Sequence, residues 1–152
     1  MTKEALRPVF RNFRTSYELS GTENTSGKGV AVTGVELTPE NSGSIYNTLS
    51  LDVDQCNIVV LHGQESEYSA RDKAEIIHLT ALKNKGIDYL ALGHIHSYKK
   101  ERLDARGVYC YPGCLEGRGF DECGEHGFVM LDIDELTGTI DSTFIPFGSM
   151  CP

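Results

Sequence analysis

The chain has no tryptophan, no apolar run long enough to span a bilayer, and no excess of positive charge. A membrane-crossing helix takes about 20 consecutive apolar residues; without one, no membrane partner is expected. The formal net charge of −8 argues against tight nucleic-acid binding by this chain alone, since such binding needs clustered Lys and Arg to neutralise phosphates. Only the start is basic, with Lys3, Arg7, Arg11 and Arg14 set against Glu4. No signal-peptide pattern opens the sequence, so a cytoplasmic location is the expectation. The five cysteines (Cys56, Cys110, Cys114, Cys123 and Cys151) are odd in number and irregularly spaced. That is a poor disulfide framework and fits a reducing compartment. There is no internal repeat and no low-complexity tract.

What is present reads as one domain over residues 1–152, long enough to bury a real core, with apolar and charged content in the globular range. Residues 1–12 show no sustained periodicity. A weak alternation from Arg14 to Leu19 suggests a strand, and the polar, Gly-rich stretch from Ser20 to Gly29 suggests an exposed loop. Val30 to Val35 is β-branched enough for a second strand. Thr38-Pro39-Glu40 has the form of a helix start, with Thr38 as N-cap and Pro39 at the first position, and the helix should end near Leu49. Asn57 to Leu61 reads as a fully buried strand. A longer helix is expected from a Ser69 cap, with Asp72 in its first turn and an apolar stripe of Ile76, Leu79 and Leu82. Gly86 should end it. Tyr89 to Leu92 is the next buried strand. Beyond it the pattern becomes antiparallel, with segments at Lys99–Leu103, Val108–Tyr111, Gly127–Asp134 and Ile140–Pro146.

Asn57 to His96 is thus strand, helix, strand, the pattern of two parallel strands joined by a crossover. Both strands end in histidines: His62 before Gly63, and His94 and His96 after Gly93. Parallel strands bring their C-terminal ends to one sheet edge, where α/β proteins tend to bind ligands. His62, His94 and His96 can therefore converge. Side chains separated by one residue in an extended segment point to opposite sides, so His94 and His96 would face different partners, two metal ions being one option and solvent the plain alternative. His78, inside the expected helix, reads as structural.

Two other features carry weaker signals. Cys110, Cys114, Cys123 and His126 have the residue types of a Cys₃His zinc site. Their spacing is irregular, and Cys110 lies in an apparent strand, so reduced and partly buried thiols are the better reading. Pro112 to Gly127 holds several glycines and should form a long loop packed over the site edge. Its Arg118 is a candidate phosphate contact, although a solvated or salt-bridged arginine is the better reading.

The ordered set Asn57-Ile58-Val59-Val60-Leu61-His62-Gly63, Leu92-Gly93-His94-Ile95-His96, Tyr111-Pro112-Gly113, Glu116-Gly117 and Gly127-Phe128 resembles the calcineurin-like metallophosphoesterases. The branch it is most similar to is that of bacterial DNA-repair exonucleases. The resemblance covers about Phe10 to Pro146. It implies an α/β fold, the C-terminal half of a metallophosphoesterase-type β-sandwich with flanking helices and a mixed sheet. It implies a metal-dependent phosphodiester hydrolase with two divalent ions, manganese above all, with iron or zinc as options. His62 and His94 would bind the second metal and His96 the first. The substrate would be a phosphodiester, DNA in the full-length context. The family's Asp-x-His, Gly-Asp-x-x-Asp and Gly-Asn-His motifs do not occur in this sequence. The expectation is therefore a chain inactive alone, with weak or no metal occupancy, that is completed by a missing N-terminal half. The alternative is a non-catalytic scaffold module that forms a homo-oligomer or binds a partner chain.

Overall fold

Four parallel strands form the centre of the protein: β2 (Val30–Val35), β3 (Cys56–His62), β6 (Tyr89–Gly93) and β8 (Val108–Tyr111). In this computed structural model residues 13–17, 29–38, 41, 43–65, 76–117, 124–134 and 136–150 are described. The antiparallel strands β1 (Phe13–Tyr17) and β7 (Lys99–Arg102) flank the four, giving a six-stranded sheet in the order β1-β2-β3-β6-β8-β7. Two short parallel strands, β4 (Gln64–Glu65) and β5 (Ile76–Ile77), pair separately. A long antiparallel hairpin of β9 (Gly124–Ile133) and β10 (Ile140–Met150) ends the fold. The described helices are single turns, α1 (Ile45–Thr48) and α2 (Leu79–Leu82). The class is mixed α/β, dominated by sheet, and no described helix is long and apolar enough to cross a membrane.

Alternation along the central strands sends side chains to two cores. On one face Val59, Leu61, Leu90, Leu92, Tyr109 and Tyr111 pack with Ile45, Tyr46 and Leu82 from the helical turns and with Ile77 of β5. On the other, Cys56, Ile58, Tyr89 and Cys110 pack against Val129, Leu131, Ile133 and Ile140 of the hairpin. β3 is not buried along its whole length, contrary to the sequence reading. Val60 faces the hairpin side with Cys56 and Ile58 but is 42% exposed. The hairpin reaches Cys56 and Ile58 and leaves the C-terminal end of that face uncovered.

Two helices differ from their expected spans. Thr38 and Asn41 do make the reciprocal bonds of a cap: the Thr38 N–H donates to Asn41 Oδ1 at 2.8 Å and the Asn41 N–H to Thr38 Oγ1 at 3.3 Å. They close a turn, however, and the α-helix begins only at Ile45. The stripe of Ile76, Leu79 and Leu82 is split between β5 and α2, with His78 at the N-cap rather than inside a helix. The Tyr46 hydroxyl explains the break. It donates to the Ile76 carbonyl at 3.5 Å and accepts the His78 N–H at 3.1 Å, satisfying an extended backbone that a helix would otherwise have to satisfy. Ser69 and Asp72 lie outside the described residues. Positive φ at Asn84 (60°) and Gly86 (83°) carries the chain out of the last turn towards β6.

At the N-terminal end of the central strands, Arg106 fastens three segments. Its guanidinium donates to both Asp88 oxygens and to the carbonyls of Val53 and Gln55, each at 2.8 Å. Asp88 Oδ2 also accepts the Asn57 N–H at 2.8 Å. This planar fork on a carboxylate fixes β3, β6 and the β7–β8 turn in register.

Candidate functional site

The opposite end of the same strands carries the histidines. β3 ends at His62, which lies level with Gly93 at the end of β6. The Gly63 N–H then donates to the Gly93 carbonyl at 3.0 Å, prolonging the strand pairing beyond the two ends. The His62 and His94 rings meet edge to face, with centroids 5.4 Å apart and planes at 79°. Glycine at 93 is what admits this arrangement. A Cβ there would lie 2.9 Å from His62 Nδ1, closer than real Cβ contacts come. His94 turns away from the strand with φ of 118°. That backbone conformation is sparsely populated for any residue with a side chain and costs of order 1–3 kcal/mol.

His96 is exposed, and its place is set through its backbone. The His96 carbonyl accepts the Cys114 N–H at 3.2 Å and lies 3.5 Å from Cys114 Sγ. Gly113, at φ 80°, makes this approach possible, since a Cβ would lie 2.7 Å from the His96 carbonyl oxygen. Tyr98 stacks obliquely on Phe144 of β10, with centroids 4.5 Å apart, so the loop after β6 is held against the hairpin. The fully buried Tyr111 donates its hydroxyl to the Gly63 carbonyl at 3.1 Å, supporting the turn that follows His62.

The structure thus brings His62 and His94 together and places His96 two residues beyond. Among the described residues no set of three or more His, Cys, Asp or Glu side chains is gathered around one position for a metal ion. Neutral imidazoles suit Mn, Fe or Zn. A pair of them supplies only part of the donor set and none of the negative charge that a divalent ion takes from carboxylates. These residues fit a fragment of a metal centre, not a complete one.

The other sequence candidates separate. Cys110 is buried in the hairpin-side core, where burial raises its thiol pKa and the Tyr89 hydroxyl hydrogen-bonds it. Cys114 instead meets His126, with Sγ 3.4 Å from Nδ1. Cys123 and Arg118 lie outside the described residues. His78 is exposed, and its ring flanks the Tyr46 ring edge on.

Sequence reasoning passed over a polar cluster near the site. Glu65, three residues after His62, is 3% exposed. Its Oε1 accepts from Lys99 Nζ at 2.7 Å, and its Oε2 lies 3.2 Å from the Tyr109 hydroxyl. That hydroxyl donates to Glu101 Oε2 at 2.5 Å. Burial, reinforced by the Glu101 carboxylate, pushes the Tyr109 phenol well above its ordinary pKa, so it remains a neutral donor. Glu65, Glu101 and Tyr109 line a cleft of about 230 Å³ with Leu79, Lys83 and Leu103, and none of the three site histidines borders it. A second cleft, of about 330 Å³, is lined by Asp88, Arg106 and Thr139 at the far end of the strands.

A scan of the chain against models of known protein families finds no match, and a search of curated proteins finds none either.

Proposed function

We propose that this chain contributes His62, His94 and His96 to a two-metal phosphodiesterase centre of the calcineurin-like kind, in the branch of DNA-repair exonucleases. On this reading the sheet and the hairpin packed on it are the C-terminal half of that family's sandwich. The observation that carries the reading is the edge-to-face pair of His62 and His94 on adjoining ends of β3 and β6. Backbone strain at His94 accompanies that pair, and such strain clusters at functional sites. Divalent manganese, iron or zinc supplies Lewis acidity and an activated water when bound in such centres. The protein's part is to place imidazoles at a rigid sheet edge. Carboxylate donors must come from a segment beyond those described, either in the same polypeptide or in a second one.

Assay of the chain with Mn²⁺ and a chromogenic phosphodiester tests this directly. Essentially no turnover is expected alone, and some should return when a polypeptide carrying the Asp-x-His, Gly-Asp-x-x-Asp and Gly-Asn-His motifs is added. Robust turnover that persists when all three histidines are replaced by Ala sinks the proposal.

One observation favours a second reading, a non-catalytic module that pairs with another copy of itself. Phe128 and Met130 are exposed on the face of β9 turned away from the core, Phe147 is exposed on β10, and Val60 is bare on β3. No third strand joins the β9–β10 hairpin among the described residues. Exposed apolar surface and open strand edges favour association. Light scattering should then report a dimer or larger assembly, and a clean monomer at high concentration removes this reading.

A further inference from the structure

We propose that Cys114 and His126 form a seat for a thiophilic, tetrahedral divalent cation such as Zn²⁺, separate from the histidines at the ends of β3 and β6. The two side chains come from different segments. Cys114 follows β8 and Gly113, while His126 lies near the start of β9 and is 5% exposed. Sγ and Nδ1 are 3.4 Å apart. With Zn–S of about 2.3 Å and Zn–N of about 2.0–2.1 Å, a tetrahedral ion holds sulfur and nitrogen ligands roughly 3.6 Å apart. The ion thus fits with a movement of a few tenths of an ångström. The His96 carbonyl oxygen, 3.5 Å from the same sulfur, is also at the length of a tetrahedral edge and is the third donor this proposal would use. Sulfur and imidazole nitrogen together select a borderline or soft ion over Mg²⁺ or Ca²⁺.

The position gives the ion a structural consequence. The Cys114 N–H donates to the His96 carbonyl at 3.2 Å, and the Gly127 N–H donates to the Cys114 carbonyl at 3.2 Å. The loop after β6, the segment after β8 and the start of β9 therefore meet at this residue. A cation bound there pins all three together. Among the sequence's zinc-type residues, the structure pairs only Cys114 with His126 within the described chain, since Cys110 belongs to the core.

The test uses the full chain with His62, His94 and His96 all replaced by Ala, which removes the other imidazole donors and keeps the backbone carbonyl of position 96. Only His78 and His126 then remain of the five histidines. Titration with Cd²⁺, read by its ultraviolet thiolate charge-transfer band, should saturate at one equivalent. The band should vanish in Cys114→Ser. Affinity should fall in His126→Gln by at least the roughly 10–100-fold that losing a hydrogen-bond partner of a ligand costs. An absent band, a band retained without Cys114, or unchanged affinity without His126 overturns the proposal. A measurement on the triple-Ala chain itself guards against further variants that fail to fold. Zn²⁺ should shift the His126 ring resonances and leave those of His78 in place, and a titration that moves neither ring, or only that of His78, is equally fatal.

Discussion

Replacing Gly93 by Ala isolates the placement of His62 from the stability of the sheet. Gly93 does not have a positive φ, so alanine fits the backbone. The loss of unfolded-chain freedom then favours the folded state by about 0.4–1 kcal/mol. Against this stands the new methyl group, 2.9 Å from His62 Nδ1 and 3.7 Å from Cε1. The obstructing atoms belong to an exposed side chain with two rotatable bonds, not to backbone, so the ring can swing away. Leaving its favoured rotamer costs of order 0.5–1.5 kcal/mol. The two effects nearly cancel, and urea denaturation should place Gly93→Ala within about 1 kcal/mol of the parent. The imidazole pair should nonetheless be lost. In nuclear magnetic resonance, substoichiometric Mn²⁺ should broaden the His62 and His94 ring protons together in the parent and weakly or unequally in the variant. Equal broadening in both proteins, with stability unchanged, would refute the claim that the missing Cβ is what admits the pair.

Three further perturbations bear on other parts of the argument. His94→Gly should be more stable than His94→Ala by roughly 1–2 kcal/mol, because both remove the imidazole but only glycine relieves the positive φ; equal unfolding midpoints would show that position 94 is unstrained. Arg106→Ala should cost about 2–3 kcal/mol in chemical denaturation, since the fork on Asp88 and two carbonyl contacts go together, and Arg106→Lys should recover less than half of it. For Asp104, burial raises the carboxyl pKa, but the backbone N–H groups of Asn84, Gly107 and Arg106 and the Arg106 charge outweigh it, leaving the pKa lowered. Its stabilisation is therefore fully present above the unfolded value of about 3.9 and is lost as pH falls through the folded value. Asp104→Asn should be the less stable protein at pH 7, with a gap that narrows in acid; a gap independent of pH would count against the ionised network.

Most strands were legible because their signals are local; the short pair of β4 and β5 was not. Unbroken β-branched runs and alternation mark β2, β3, β6 and the later antiparallel strands, and a glycine or polar turn bounds most of them. The helices were not, because their ends are decided by distant groups. The split of Ile76, Leu79 and Leu82 between β5 and α2 depends on a hydroxyl at Tyr46, some thirty residues away, and no periodicity in the stripe itself reports it. The exposure of Val60 has the same character. Its apolar identity says that it can be buried, while the reach of the hairpin determines that it is not. At the site, the histidines stood out through their position after buried strands. The contact of Cys114 with His126 required the fold, since the twelve-residue separation gives no hint of it. Tyr111 was visible as part of a motif, but its hydrogen bond to Gly63 was not.

The distribution of order across the sheet bears on what the histidine edge can do. At the N-terminal end Arg106 and Asp88 satisfy one another and the neighbouring backbone through short charge-assisted bonds, an arrangement that holds register. The C-terminal end is built differently: a residue with positive φ, two imidazoles in edge contact, and exposed rings at His62 and His96. A fold selected only for stability would relieve φ at position 94 with a glycine, as Gly113 does where the chain passes His96. Retaining a histidine there costs stability of order 1–3 kcal/mol, against which the ring makes an edge-to-face contact with His62 and holds a further interaction of its own. On the proposed metal-centre reading, a cation bridging the ring to further ligands would add to that compensation. The strain at His94 is thus compatible with the proposed metal-centre reading, and the gain in stability of His94→Gly over His94→Ala measures what the fold alone gives up there.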